Sequence, residues 1–437
     1  MTQPDAHAGS DEARDTPAPT FADLTTLGVG GPIRRLVTVT TQRDLVDAAE
    51  TAWSDVEPWM ALGGGSNLLV GDEGFDGTVI RIATKGIEVL PAPSARGGAD
   101  AAGAPDAAAG PSDGEVAAAG ADAATVHVRV QAGEVWDDLV AWTVERGYSG
   151  IEALSGIPGC VGAAPVQNIG AYGQELESTL VAIEFLDEGA SEPRRMRASE
   201  LALGYRTSVL KQGLSGIVVS VELALHDTAA ERAVLGEALG RPVAYAQLAG
   251  ALHVDLGDRV PIARVRESVL ALRASKGMVL DPDDRDSASA GSFFTNPIVG
   301  EHVARSLPGD APRWYVEPEP ADEVVPIETA LDESPLEQFL AHQASLEASD
   351  RSTDAASARP AVKLSAAWLI ERSGIGRGFA LPGSRAAISS KHTLALTNRG
   401  GATADEVAEL ARFVRSRVQS EFGILLHPEP VVVGLTL

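Results

Sequence analysis

The spacing of apolar residues along the chain predicts an alternation of strands and helices. Strands are predicted over residues 36–41, 59–62, 78–82, 126–130, 181–186 and 217–225. Helices are predicted over residues 44–53, from Trp136 to a stop at Gly147, over 262–274 and from a Thr-Ala-Asp-Glu capping box at 403–406. No internal repeat interrupts this order, and the mixture predicts an α+β fold.

Three stretches are predicted to lie outside the packed core because they hold few bulky apolar residues. They are residues 1–19, 91–124 and, less strongly, about 300–359. The second consists almost entirely of Ala, Gly, Pro and Asp, a composition that cannot offset the entropy lost on ordering. We therefore expect it to be a surface insertion between two strands.

The charge balance changes the expected partners. The chain has 35 Lys and Arg against 61 Asp and Glu, a formal charge of −26. A surface this acidic repels nucleic acid and anionic membranes, so neither is expected as a partner. An anionic ligand would need a local basic cluster. The simpler reading, that the charge serves solubility, stays open.

Cysteine usage and the N-terminal residues bear on the compartment. The single cysteine, Cys160, excludes an intrachain disulfide and a cysteine zinc site, and no metal is expected. Residues 1–20 lack the basic and apolar regions of a signal peptide. No apolar run is long enough to span a membrane. These features predict a cytoplasmic protein.

Two segments rich in small residues are candidate ligand loops. A Gly-Gly-Gly-Ser-Asn motif at residues 63–67 follows a predicted strand, and its N–H groups could bind a phosphate. A tight turn with no ligand remains an alternative. Residues 155–173 form a long loop in which Gln167, Asn168 and Tyr172 offer polar groups beside bare backbone. This suits a planar heteroaromatic ring, although a plain connector is the alternative. Cys160 is interpreted as a buried thiol.

Five motifs in this order resemble one family. They are Gly-Gly-Gly-Ser-Asn at 63–67, Ile-Pro-Gly-Cys-Val-Gly at 157–162 followed by Gln-Asn-Ile-Gly-Ala-Tyr-Gly at 167–173, Gly-Tyr-Arg-Thr-Ser at 204–208, Gly-Ser-Phe-Phe-Thr-Asn-Pro at 291–297, and Pro-Glu-Pro at 428–430. The sequence resembles the UDP-N-acetylenolpyruvoylglucosamine reductase (MurB) family from about residue 20 to 437, apart from the insertions. The tyrosine at 245 resembles that of the family's longer type.

The resemblance implies a domain plan. It implies two FAD-binding subdomains of the vanillyl-alcohol-oxidase type, over residues 20–82 joined by 428–437, and over 83–250. A substrate domain is implied over 251–427. FAD is implied as cofactor and NADPH as co-substrate. The flavin-binding residues implied are Gly63, Gly64, Gly65, Ser66, Asn67, Gly156, Gly159, Gly162, Gln167, Asn168, Gly170 and Tyr172.

The resemblance also implies a reaction. A nucleotide sugar carrying an enolpyruvyl ether would be reduced by hydride from flavin N5 and by a proton from Ser292, with Arg206 and Glu429 stabilising the intermediate. An ionised Glu429 would repel that anion, so a raised pKa or a neighbouring arginine is required. A turn role for Ser292 and a plain salt bridge for Arg206 and Glu429 remain alternatives.

Further contacts follow from the same resemblance. Tyr245, Lys276, Asn296 and Lys363 match substrate-binding positions, in a chain expected to be a monomer. Residues 387–392 cannot be matched securely. Two other functions stay open: an FAD oxidase of the same fold, and a flavin- or nucleotide-sugar-binding protein without turnover.

Overall fold

The computed structural model describes residues 18–55, 57–91, 125–316 and 361–437. The predictions for residues 1–17, 92–124 and 317–359 lie outside these ranges. Within the described ranges, every helix is too short or too polar to cross a membrane.

The described chain divides into two compact units. The first comprises residues 1–293, 376–412 and 429–437, and the second comprises 294–375 and 413–428. The division falls inside one helix, Ala404–Phe422.

The elements of the first half are as follows. They are α1 (Phe21–Leu24), β1 (Ile33–Val39), α2 (Gln42–Ser54), β2 (Trp59–Leu62), β3 (Leu68–Val70), β4 (Phe75–Ile82), β5 (Ile87–Leu90), β6 (Thr125–Gln131), α3 (Trp136–Arg146), β7 (Tyr148–Ser149), β8 (Gly170–Ala171), β9 (Gln174–Glu175), β10 (Leu180–Asp187), β11 (Arg194–Arg197) and β12 (Gly216–Asp227).

The remaining elements follow in chain order. They are α4 (Ala229–Leu235), α5 (Ala246–Leu252), α6 (Ile262–Ser275), β13 (Ile298–Gly300), α7 (Glu301–Ser306), β14 (Arg313–Val316), β15 (Ala361–Leu364), α8 (Ala366–Arg372), β16 (Ala386–Ile388), β17 (Leu396–Asn398), α9 (Ala404–Phe422) and β18 (Val431–Val433).

The first unit contains two main sheets. A three-stranded parallel sheet has the order β1-β4-β2, and an antiparallel sheet has the order β11-β10-β12-β6-β5, with β7 on β12. One core cluster lies between the second sheet and α3, around Trp136 and Phe185. A short parallel pair joins β18 to β3, so the C-terminal strand lies beside the segment that follows the 63–67 turn.

Local signals place several helix ends where they were predicted. Gly147 has φ 80° and closes α3 by donating its N–H to the carbonyls of Thr143 and Val144. At α9, the N–H of Glu406 donates to Oγ1 of Thr403 at 3.1 Å, and the N–H of Thr403 donates to Oε2 of Glu406 at 2.8 Å. The predicted capping box is confirmed.

The second unit corrects one prediction. Little packed structure was expected from residue 300 onwards, yet α7 and β14 lie within 300–316. The side chain of Arg313 donates to the carbonyls of Ala304, Leu307 and Pro308, and so ties β14 to the helix and turn that precede it. For residues 300–316 the prediction is wrong, because Ala304, Leu307 and Ala311 are buried and β14 pairs with β15. β13, β15 and β14 form an antiparallel sheet.

Candidate active site

The two small-residue segments are in direct contact. A Cβ placed on Gly63 would lie 2.3 Å from Sγ of Cys160, and one on Gly64 would lie 2.7 Å from Cα of Gly159. Oγ of Ser66 donates to the carbonyl of Pro158 at 2.9 Å. The glycines are therefore required first for the contact between the loops, and the predicted ligand segments form one surface.

Other glycines of the predicted flavin site have similar constraints. Gly65, Gly156 and Gly159 have φ of 60°, 70° and 116°, where only glycine is unstrained. A Cβ on Gly162 would lie 2.5 Å from Cβ of Ala132, and one on Gly170 would lie 3.2 Å from an Arg206 nitrogen. These positions fix the path of the loop.

Three predicted site residues other than glycine adopt the left-handed conformation. Asn168, Tyr172 and Arg206 have φ of 44°, 49° and 59°. Each such residue costs on the order of 1–3 kcal/mol, and such strain clusters at functional sites. Surrounding contacts stabilise this strained conformation at Asn168. Its side chain is buried, and its Nδ2 donates a hydrogen bond to the carbonyl of Gly204 at 3.2 Å.

Arg206 and Glu429 form an ion pair. Nε of Arg206 lies 3.3 Å from Oε1 of Glu429, and only 20% and 15% of the two side chains are exposed. The other guanidinium nitrogens donate to the carbonyls of Asn168 at 3.2 Å and Gly170 at 2.6 Å. The fork thus holds the left-handed loop, and among the described residues the second N–H on each terminal nitrogen has no hydrogen-bond acceptor.

Burial raises the pKa of the Glu429 carboxyl, and the positive charges of Arg206 and Lys211 and a hydrogen bond from Gln167 only partly oppose this effect. Nε2 of Gln167 donates to Oε1 of Glu429 at 3.2 Å. The predicted role of Glu429 requires either a raised pKa or a neighbouring arginine, and the structure has both.

Lys211 is a site residue that sequence reasoning missed. Its Nζ donates to the main-chain oxygen of Glu429 at 3.2 Å and to Oε1 of Gln167 at 3.4 Å. Burial lowers the pKa of its ammonium group, Glu429 opposes this and Arg206 adds to it. The available signal was its place five residues after Arg206, in the turn that follows.

Predicted substrate and flavin residues meet around two tyrosines. The rings of Tyr172 and Tyr245 pack edge to face with centroids 5.8 Å apart, and Nζ of Lys276 lies 5.4 Å from the Tyr172 centroid. Buried Arg273, also missed from the sequence, has an Nε with no hydrogen-bond partner among the described residues. Burial and Arg273 lower the pKa of Lys276. The cluster suits an anionic ligand.

Ser292 is half-buried, and its hydroxyl has no hydrogen-bond partner in the part of the chain that the structure describes. The next residue, Phe293, accepts a hydrogen bond from the N–H of Glu429 at 2.9 Å. The chain therefore brings the 291–293 turn beside the Pro-Glu-Pro segment.

The other two predicted substrate residues belong to the second unit. Oδ1 of Asn296 accepts a hydrogen bond from the N–H of Ala366 at 2.9 Å, and Lys363 pairs with Ile298 and Trp314 on strand β15. Their substrate roles stay predictions.

The residues present fit a flavin nucleotide. Among the described residues, the N–H groups of Ser66 and Asn67 make no main-chain hydrogen bond, so they remain for phosphate oxygens. Oε1 of Gln167 accepts from Nδ2 of Asn67 at 2.7 Å, which ties the two loops together. Over the described ranges, no cluster of His, Cys, Asp and Glu could hold a metal ion.

Comparisons with known proteins agree with this geometry. Residues 119–192 match a family model described as an FAD binding domain, and residues 281–433 match the C-terminal domain of UDP-N-acetylenolpyruvoylglucosamine reductase. The relative of that name from Leifsonia xyli subsp. xyli is 52% identical over 97% of this chain and 100% of its own length. The Saccharopolyspora erythraea relative is 42% identical over 98% of this chain and 100% of its own.

A solved structure agrees as well. The crystal structure of UDP-N-acetylenolpyruvylglucosamine reductase from Thermus caldophilus is 26% identical, covers 95% of this chain and 97% of its own, and has a TM-score of 0.53.

The predicted α+β class and FAD-binding domain are confirmed, and they define the chain as an FAD-dependent oxidoreductase. Identity of 52% over almost the whole length further shows that the chain belongs to the UDP-N-acetylenolpyruvoylglucosamine reductase family, which serves peptidoglycan synthesis.

Proposed function

We propose that this protein reduces UDP-N-acetylglucosamine enolpyruvate to UDP-N-acetylmuramate, with FAD as cofactor and NADPH as electron donor. The observation that carries the proposal is the carboxyl of Glu429, 15% exposed and paired with Arg206 beside the predicted flavin loops. The lack of a GxGxxG motif followed by an acidic residue agrees with NADPH acting as a transient co-substrate.

The chain's own residues meet three needs of this reaction. Bound FAD supplies the hydride, from N5 of its reduced form, to the terminal carbon of the double bond. Arg206 donates N–H groups to the substrate carboxylate on which negative charge builds. Ser292 holds a proton for the adjacent carbon.

Glu429 acts on the same developing charge. In the proposed reaction Glu429 acts as a neutral carboxyl that donates a hydrogen bond to the substrate anion, and burial shifts its pKa upward, the direction that this role requires. Arg206 keeps that carboxyl in place. A site with an ionised, solvated carboxylate would oppose the reduction.

The polar cluster around Tyr172 is the proposed diphosphate site. Arg273 and Lys276 provide positive charge within an acidic protein, and Tyr245 covers the bound nucleotide sugar. We propose the domain bounds that the resemblance implies, and substrate-binding roles for Asn296 and Lys363. The buried free thiol of Cys160 supports a reducing, cytoplasmic setting, and we propose a monomer.

The purified protein tests the proposal directly. We expect a yellow protein absorbing near ~450 nm that bleaches with NADPH and regains its colour, without oxygen, when the enolpyruvyl sugar is added. Recovery of colour with oxygen but not with the sugar would indicate an oxidase instead. Bound flavin that NADPH does not reduce would indicate a binding protein.

A further inference from the structure

Two side chains donate hydrogen bonds to the same pair of oxygens beside Glu429. Nδ2 of Asn67 donates to Oε1 of Gln167 at 2.7 Å and to the main-chain oxygen of Glu429 at 3.3 Å. Nζ of Lys211 donates to these two oxygens at 3.4 Å and 3.2 Å. Asn67 and Lys211 therefore bracket the peptide group that carries the Glu429 side chain.

The hydrogen bonds from Asn67 and Lys211 also determine the orientation of the Gln167 amide. An ammonium group donates and never accepts, so the oxygen of the amide must face Lys211. The NH2 group then faces Oε1 of Glu429, to which it donates at 3.2 Å. With the amide reversed, its NH2 would face the Lys211 ammonium and its oxygen would face the carboxyl. Lys211 thus selects the amide orientation that binds Glu429.

The charge of Lys211 reaches the carboxyl as well. Among the described residues, its hydrogen bonds are to two oxygens of neutral groups, the Gln167 amide and the main chain at Glu429. Among the charged groups that face Glu429, Arg206 and Lys211 both lower the pKa of its carboxyl, against the raising effect of burial. Without Lys211, Arg206 is the charged group that still opposes burial, together with the hydrogen bond from Gln167, so the pKa of Glu429 rises further.

We propose that Lys211 is a positioning residue for Glu429: with Asn67 it fixes the Gln167 amide and the main chain at Glu429, and so holds the carboxyl toward the substrate. The effect on catalysis rests on the proposed function, in which Glu429 acts on the substrate anion. The electrostatic coupling of Lys211 to Glu429 does not depend on that function.

The test compares Lys211→Met with Lys211→Arg in the FAD-loaded protein. Lys85→Met is the matched control, because that lysine is exposed and pairs with Glu134 away from this cluster. For Lys211→Met we expect wild-type flavin content and flavin reduction by NADPH within about twofold. Reoxidation by the enolpyruvyl sugar should slow by about 10–100-fold, as for a misplaced catalytic group. The limb of its pH profile set by Glu429 should move to higher pH.

Lys211→Arg separates the charge from the chain length. Arginine keeps the positive charge, so the pH limb should stay near its wild-type position while part of the rate is lost. Loss of flavin, or equal slowing of both half-reactions, would show that Lys211 supports the fold or the cofactor and would overturn the proposal. An unchanged Lys211→Met variant would overturn it too.

A second readout needs no turnover. Because the pKa of Glu429 is raised in the folded protein, its contribution to stability is present below the unfolded pKa and is lost as pH rises through the folded pKa. Lys211→Met should extend this loss to higher pH, and the extension should vanish in a Glu429→Gln background. If wild type and Lys85→Met both fail to reduce the enolpyruvyl sugar, the proposed function is wrong. The pH dependence of stability then tests the electrostatic coupling of Lys211 to Glu429 by itself.

Discussion

Nε of Arg206 lies 3.3 Å from Oε1 of Glu429, and the rest of that guanidinium holds the carbonyls of a left-handed loop. One side chain thus positions both the carboxyl and the loop that carries Tyr172. The burial that raises the pKa of Glu429 comes with this packing, because the pair is enclosed by the loops it connects. The burial that raises the pKa of Glu429 therefore lowers the stability of the folded protein at pH values at which this carboxyl is ionised.

The Glu429→Gln variant tests whether the ionised carboxyl destabilises the folded protein and whether the carboxyl is needed for turnover. Above the raised pKa, an ionised Glu429 costs folding free energy that a neutral amide does not, so the variant should be more stable than wild type at pH 8 and closer to it at pH 4. Turnover should fall about 10²–10³-fold, the usual loss for one donor to a developing anion. Urea unfolding across pH and turnover with the enolpyruvyl sugar check both parts. A variant that is less stable at pH 8 would show that the pair stabilises the fold.

Gly63→Ala tests the contact between the two glycine-rich segments. The new Cβ would lie 2.3 Å from Sγ of Cys160 but 3.8 Å from its Cβ, so the clash is with the sulfur. We expect a loss of about 1–3 kcal/mol of unfolding free energy and lower flavin content, as for overpacking. Adding Cys160→Ala should restore most of both.

Gly64→Ala is the control for that rescue. Its Cβ would lie 2.7 Å from Cα of Gly159, a main-chain atom that Cys160→Ala does not remove. Denaturant unfolding of wild type, the three single variants and the two double variants gives the coupling energies. Rescue of Gly64→Ala as well would mean that Cys160→Ala relaxes the whole loop.

Local signals predicted much of the fold, whereas the details of the site come from long-range contacts. The ends of α3 and α9 followed from Gly147 and from the capping box, which act within one turn. The resemblance supplied Arg206 and Glu429. Lys211 was missed because its partners lie at positions 167 and 429, and no local pattern encodes that pairing. The order of residues 300–316 was missed for the same reason, since β14 pairs with β15, in which Leu364 lies opposite Arg313.

Shortening residues 91–124 should leave the protein functional. β5 and β6 are paired on either side of this segment, with Leu90 opposite His127, so a short Gly-Ser turn can join them. Loop closure changes by only about 0.6 kcal/mol for each doubling of length. Flavin content and turnover should therefore stay within about twofold of wild type. Loss of flavin from the shortened chain would show that these residues contribute to the cofactor site.

Tyr245→Phe should weaken substrate binding and leave flavin reduction unchanged. Phenylalanine keeps the ring edge against Tyr172 and loses only the hydroxyl, which we assign to the nucleotide sugar. Loss of one hydrogen bond corresponds to about tenfold in affinity. Perturbation of the flavin spectrum on titration with substrate measures this. Unchanged affinity with slower reduction by NADPH would assign Tyr245 to the flavin side.

Ser292→Ala should separate the two half-reactions. Reduction of the flavin by NADPH requires no proton on substrate carbon, so bleaching should proceed at nearly the wild-type rate. Reoxidation by the enolpyruvyl sugar requires that proton, and general-acid catalysis supplies about 10²–10⁴-fold. The barrier should rise by about 3–5 kcal/mol. Stopped-flow absorbance of the flavin measures both steps.

Ser292→Cys is the matched comparison for that variant. A thiol is a stronger acid of similar size, so cysteine should restore part of the reoxidation rate where alanine does not. Substrate affinity should change little in both variants, because the hydroxyl acts mainly in the transition state. If alanine reoxidises as fast as wild type, Ser292 is a turn residue and another group is the acid. If flavin reduction also collapses, the half-buried hydroxyl supports the 291–293 turn, and its assigned role is wrong.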